Sequence, residues 1–288
     1  MKHMKFTVEE EKELLPFLME KMKTMSKSKV KEILSHSVFV NSRRVKQFNF
    51  ILKPGMEVKI DRLSHKERFK PRGLEIVFED PYLLVVNKYP GLLSNSKFPT
   101  DDTVITQLNR YMESTNQRCN AHIVHRLDRD TSGLMVVSKT KKVSQMFEEN
   151  WKERVFDRAY VAVAWGEVKP EKGTIRTWLT DGEYCVLSSS VDNGGKEAIT
   201  HYEVKKHNKK YSLVELKLDT GRRNQIRVHL REMKHPVVHD PMYGYKDDES
   251  PIDRLALHAF RLCFEHPITK KKLRFETEYP ESFMKLML

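Results

Sequence analysis

Only three cysteines stand in the 288 residues, Cys119, Cys185 and Cys263, odd in number and widely spaced. They exclude a disulfide framework or a CxxC metal knuckle and suit a reducing compartment. No apolar run approaches the ~18 residues that a membrane span needs. The opening stretch MKHMKFTVEEEKELL is too polar for the apolar segment of a secretory signal. Internal repeats and low-complexity tracts are also missing. Apolar residues are 39%, below the ~45–50% of an average globular chain. The Leu, Ile, Val and Phe present still suffice for a core, which argues against wholesale disorder. These absences lead to the expectation of a cytoplasmic protein with no membrane segment.

What the chain has in excess is positive charge. Lys plus Arg number 52 against 40 Asp plus Glu, a net +12. Such a balance suggests a polyanionic partner, nucleic acid or an anionic surface. The charge is concentrated at the front. Residues 1–70 hold 17 cations and 9 acids, a net +8 that leaves +4 for the other 218.

Within residues 8–61, Leu14, Phe17, Leu18 and Met22 recur at helical spacing. Ser26 or Ser28 can cap a second helix that turns Val30, Ile33 and Leu34 inward and Lys27, Lys29 and Lys31 outward. Val38 and Val40 alternate as in a strand, Asn41-Ser42 makes a turn, and Arg43, Arg44 and Lys46 follow. Pro54-Gly55 then turns the chain into a short strand, Val58 to Ile60. Two helices and a small hairpin with cations at the helix start and the turn resemble the S4 RNA-binding domain. His36 and Ser42 stand where S4 modules usually carry Gly, and the first is expected just past a helix end in left-handed backbone. The resemblance implies that Lys27, Lys29, Lys31, Arg43, Arg44 and Lys46 contact RNA; the plain alternative is a solvated charged face.

Residues 62–73, DRLSHKERFKPR, are polar and aperiodic and read as a linker. Strand-like runs follow at 74–78, 83–86, 134–137, 160–165 and 213–218. A helix is expected at about 141–154, with Val143, Met146, Phe147 and Trp151 on one face. This mixture predicts an α+β domain over 74–288, built on a mixed, largely antiparallel sheet.

The chemistry is expected in His122-Ile123-Val124-His125-Arg126-Leu127-Asp128-Arg129-Asp130-Thr131-Ser132-Gly133. Apolar runs enter and leave it, so the polar cluster reads as a rigid loop between buried strands. Arg126 and Arg129 would keep Asp128 ionised. Alone, such a cluster reads as a salt-bridged turn. The full string, however, resembles the HRLDxxTSG signature of the RluA family of RNA pseudouridine synthases.

Further segments follow in that family's order. Asn87-Lys88-Tyr89-Pro90-Gly91-Leu92 resembles its NKPxGL element, with Tyr89 replacing Pro. Arg158-Ala159-Tyr160-Val161 resembles the strand bearing its active-site tyrosine. Thr220-Gly221-Arg222-Arg223-Asn224-Gln225-Ile226-Arg227-Val228-His229-Leu230 resembles TGRxHQIRVHL, with Asn224 replacing His. His239 stands where Gly usually precedes Asp240, and Leu257-His258-Ala259 closes the series.

The resemblance implies a synthase fold with a central active-site cleft and an RNA substrate; nothing in the sequence demands an oligomer, and a monomer is the default expectation. It implies Asp128 as catalytic carboxylate, Arg227 paired with it, and Tyr160 stacked on the uracil and relaying the C5 proton. Arg126 would hold the flipped nucleotide, with His125, Leu127, Asn224, Gln225 and Leu257 also at the substrate. Isomerisation breaks N1–C1′ and joins C5 to C1′; nothing is oxidised and no group is donated, so no cofactor or metal is expected. Asp128 could act on the base, on C1′ or on a sugar proton. Large-subunit ribosomal RNA is the expected target and transfer RNA the alternative. Asn224 and His239 are the support for a non-catalytic ribosome-assembly factor. A metal hydrolase is the third reading, from His229, His235, His239, Asp240, His258 and His266, but no HExxH or other tight ligand spacing accompanies them.

Overall fold

A computed structural model describes residues 3–61, 69–98 and 100–288. The chain divides into two units, Met1–Phe69 and Lys70–Leu288. Most of the expected linker, residues 62–68, lies outside the described residues.

The first unit has two helices, Leu14–Lys21 and Lys27–Ser37. Ser26 caps the second, its hydroxyl accepting the Lys29 N–H at 3.4 Å. Strands His3–Thr7, Glu57–Asp61, Val38–Val40 and Arg43–Arg44 pair antiparallel in that order. The core joins both helices to the sheet through Leu14, Leu18, Val30, Leu34, Val58 and Ile60. The His3–Thr7 strand was not anticipated. His36 also departs from expectation: it lies inside the helix, and left-handed backbone falls at Asn41 and Ser42 (φ 47° and 66°). All six expected RNA-contacting cations are exposed.

The second unit is built on an eleven-stranded sheet. Among the described strands of this sheet, Ser132–Ser138 pairs parallel with Leu257–Glu265, and the other pairings are antiparallel. The fold is thus α+β on a mixed, largely antiparallel sheet. Val155–Trp165 runs between Tyr211–Leu218 and Leu257–Glu265, with Ala159 and Val161–Ala164 fully buried. The helix expected over 141–154 is broken: the backbone leaves the helical region at Asn150 (φ −131°, ψ 37°). Lys141–Glu149 and Trp151–Arg154 are therefore separate helices, yet Trp151 still packs against Val143 and Phe147, its ring centroid 6.4 Å from that of Phe147.

Strands Lys172–Asp181, Val186–Ser189, Lys196–His207, Leu257–Glu265 and Lys272–Glu276 were not anticipated. Much of Lys172–Asp181 and Lys196–His207 is Lys, Thr and Glu, whose alternation with apolar residues is weak, and Val186–Ser189 is only four residues long. At the sheet centre, Gly133 (φ 118°) sits where a Cβ would collide with the Ala259 backbone. The terminal Gly of the TSG triplet is thus required by the parallel pairing, through both φ and close approach. No helix of the described residues is long and apolar enough to cross a membrane.

Candidate active site

A cavity of about 410 Å³ opens against the sheet and brings together Asp128, Tyr160 and Arg227. His125, Arg126, Leu127, Asn224, Gln225 and Leu257 also line it. Its walls come from the loop before Ser132, the middle of strand Val155–Trp165, and the first turn of helix Gln225–Glu232.

The Asp128 loop is held by its backbone. Lys88, fully buried, donates its ammonium to the carbonyls of Tyr89, Leu92 and Arg129 at 3.1, 2.8 and 2.8 Å. Gly91 N–H donates to the Arg129 carbonyl at 3.0 Å. Ser94 donates to the Leu127 carbonyl at 2.6 Å, and the same hydroxyl accepts the Leu127 N–H at 3.0 Å. Burial pulls Lys88 down to about 8, against the opposing pull of Asp130 and Asp128.

Two expectations about Asp128 need correction. Burial is the dominant influence and raises its carboxyl above the ordinary value, while Arg227, Arg126, Lys88 and Arg223 pull it back. Flanking arginines therefore do not by themselves keep it ionised; desolvation opposes them. Arg227, moreover, gives its direct ion pair elsewhere. Its Nε and Nη2 each donate to the Asp240 carboxylate at 2.7 Å, and its Nη1 donates to Asn224 Oδ1 at 3.2 Å. The positive field of Arg227 reaches Asp128 through space.

Asp240 is itself locked: Oδ1 accepts the N–H groups of Met242 and Tyr243, both at 2.9 Å. The two departures from the family pattern fall on this cluster. Asn224 and His239 both have left-handed backbone (φ 53° and 56°), which Asn tolerates well and His tolerates better than most side chains. Asn224 also donates to the Tyr243 hydroxyl at 3.1 Å, so its amide is engaged on both sides.

Tyr160 is buried, and that burial pushes its hydroxyl up, so it stays a neutral phenol near pH 7. Above it the Arg158 guanidinium lies 5.9 Å from the Tyr160 ring centroid and 5.5 Å from that of Trp151. His125 Nε2 accepts the Val136 N–H at 3.1 Å, and burial lowers its pKa to about 3, so the ring is neutral with its proton on Nδ1. That Nδ1 and Thr131 Oγ1 are buried without a partner among the described residues.

Gln225 lines the cavity, yet its amide is fully engaged: it accepts from Thr220 Oγ1 and the Arg222 N–H and donates to Ile199 O and Thr200 Oγ1. It holds the 220–225 turn and keeps no donor for a ligand. Arg126, by contrast, is exposed, with no hydrogen bond or ion pair among the described residues. Sequence reasoning missed Lys88, Trp151, Arg158 and the role of Asp240. The Asn87-Lys88 string and the Arg158-x-Tyr160 spacing were the signals available.

The histidines of the metal reading serve other ends. His229 bonds to Thr177 and Thr200, both at 2.9 Å, His258 to Ser132 and Thr277, and His266 to Asp80. Among the described residues no group of three or more His, Cys, Asp or Glu could hold a metal ion.

Comparison with known proteins gives a consistent result. The family model for RNA pseudouridylate synthase matches residues 82–232. The uncharacterized RNA pseudouridine synthase YhcT of Bacillus subtilis (strain 168) is 34% identical, across 91% of this chain and 88% of its own. Ribosomal large subunit pseudouridine synthase D of Escherichia coli O157:H7 is 33% identical, across 91% and 85%. Among solved structures, human RNA Pseudouridylate Synthase Domain Containing 1 overlays with a TM-score of 0.60 at 28% identity, covering 73% of this chain and 84% of that one. With its signature loop, tyrosine strand and arginine helix meeting in one cavity, the chain belongs to the RluA family of RNA pseudouridine synthases.

Proposed function

We propose that this RNA pseudouridine synthase acts on a uridine of large-subunit ribosomal RNA, in the cytoplasm, with Asp128, Tyr160 and Arg227 as its catalytic residues. The observation that carries the catalytic assignment is the meeting of those three side chains in one cavity. The ribosomal assignment draws on the Escherichia coli relative, whose likeness spans 91% of this chain.

The reaction conserves every atom. The N1–C1′ bond breaks, the uracil turns, C5 joins C1′, the C5 proton leaves and N1 takes one up. Asp128 supplies the carboxylate at the sugar–base junction. Arg227, held from two sides by Asp240 and Asn224, keeps a fixed positive field there without collapsing onto the carboxylate. Tyr160 stacks on the detached base; as a neutral phenol it relays the C5 proton by giving one proton as it accepts another.

Arg126, unengaged at the rim, fills the stack that the target uridine vacates. Flipping a stacked nucleotide costs about a few kcal/mol. Arg126→Ala should therefore lower kcat/KM on folded RNA by about tenfold or more, and far less on RNA whose uridine is already unpaired. Equal losses on both would remove this role.

The basic unit before residue 62 is proposed to be an S4-type module binding RNA backbone. Replacing Lys27, Lys31 and Lys46 with Ala should weaken binding at all sequences and cut the slope of log K against log salt by about 2–3. An unchanged slope would place these cations off the RNA. The deciding experiment incubates the protein with ribosomal and transfer RNA transcripts in EDTA and maps pseudouridine by chemical-modification stops, with Asp128→Ala alongside. Stops on the ribosomal transcript that vanish in the variant support the reading; stops on transfer RNA alone move the target; none on either returns weight to an assembly factor.

A further inference from the structure

A second cavity of about 700 Å³ adjoins the first, and Trp151, Arg158 and Leu218 line both. The shared lining sets the two cavities side by side. Two aromatic rings stand in the second cavity's wall. Trp151 comes from the short helix after the Asn150 break, and Phe156 from the start of the strand that carries Tyr160. Phe156 is 52% exposed and lies outside the apolar core; the Lys272 ammonium sits 5.8 Å from its ring centroid, which leaves the opposite face for a base. Tyr160, Arg158 and Trp151 thus form a run of flat groups from the first cavity into the second, with Phe156 at its end.

The charges say which part of a nucleotide would enter. Asp157, Asp219 and Glu197 line the cavity beside Lys152, Arg158 and Lys217, so its lining carries no excess of cations to draw a phosphate inside. Each is already engaged: Asp157 with Lys217 at 3.5 Å and Arg261 at 3.6 Å, Asp219 with His201 at 2.9 Å, and Glu197 with Arg176 at 2.7 Å. Asp157 and Glu197 are therefore paired with cations, and Asp219 is held by its hydrogen bond to His201. Lys152, also on the lining, is exposed and without an ion partner among the described residues, and so is available to a phosphate.

We propose that this second cavity seats the base of an unpaired nucleotide next to the target uridine, stacked against Phe156 and Trp151 with its phosphate toward Lys152. This rests on the RNA-modifying reading above and adds a subsite to it. A stacking platform of this kind accepts any base, since each presents a π-face, so it selects an unpaired flank over a paired one.

The test uses the full chain and a single-stranded hexanucleotide, UAUAUA, read by fluorescence anisotropy beside a hexamer with abasic sites in place of the adenines. Phe156 is exposed, so Phe156→Ala folds, and Phe156→Tyr keeps the ring as a rescue. Phe156→Ala should weaken UAUAUA binding about tenfold, Phe156→Tyr should restore it, and the abasic hexamer should bind wild type and Phe156→Ala alike. Unchanged binding by Phe156→Ala, or an equal loss on the abasic hexamer, overturns the subsite. On an RNA that the wild type modifies, Phe156→Ala should raise KM about tenfold and leave kcat within about twofold; a fall in kcat at constant KM also overturns it. If the wild type modifies no transcript while the hexamer pattern holds, the catalytic reading fails and the base seat stands.

Discussion

Asp128→Asn should abolish pseudouridine formation, lowering kcat by at least about 10⁴-fold, and should at the same time raise Tm. The first effect follows from removing the carboxylate at the centre of the cavity while keeping its shape. The second follows from burial, which raises the Asp128 carboxyl above its ordinary value. A carboxyl raised in the fold favours the protonated form. Its contribution to stability is fully present below the unfolded value and is lost as pH rises through the folded one. At pH above its ordinary value the Asp128 carboxyl is thus a net cost to the fold that Asn does not carry. The gain in Tm should thus be absent at acid pH and grow as pH rises, at about 2–4 °C for each kcal/mol in a chain of this size. Thermal scans of both proteins across pH check it; a Tm difference independent of pH would place its origin elsewhere than in ionisation.

Asp240→Ala should be the most damaging change away from the reacting atoms. It strips the buried Arg227 guanidinium of two charged hydrogen bonds at 2.7 Å. An uncompensated buried charge of this kind costs about 3–5 kcal/mol, so Tm should fall by roughly 6–20 °C. Arg227 should then turn toward Asp128, the other carboxylate whose field it feels, and kcat should fall by about 10²-fold or more. The double variant Arg227→Met, Asp240→Leu separates the two effects. Apolar replacement of both partners is often neutral for stability, so that protein should melt near wild type and remain inactive. A double variant as unstable as Asp240→Ala alone would show that volume, not charge, sets the loss.

This ion pair also shows where sequence reading reached its limit. Asp128, Tyr160 and Arg227 are each carried by a local string, and local strings are legible. Which carboxylate Arg227 grips depends on the fold of the 233–240 connection and the left-handed backbone at His239, a three-dimensional property. Lys88 escaped for a similar reason: its three carbonyl partners lie 1, 4 and 41 positions away. Gln225, named from its motif position, proved to face inward to Ile199 and Thr200, strand residues that carry no motif.

Secondary structure follows the same division. Uniformly apolar runs such as Leu134–Val137 were legible as strands, whereas Lys196–His207 disguises its period with lysines on an exposed end. The helix through 141–154 kept its apolar spacing across Asn150, and spacing alone cannot register a break in φ and ψ.

That break has an optical consequence. Of the three tryptophans, Trp165 donates its indole N–H to Asp248 and Trp178 lies on a strand beside Arg176, while Trp151 lines both cavities. The chain therefore carries its own fluorophore at the place where a base would arrive. With Trp165 and Trp178 changed to Phe, emission from Trp151 alone should time the entry of RNA, and a rapid-mixing trace would separate that step from the bond rearrangement that follows.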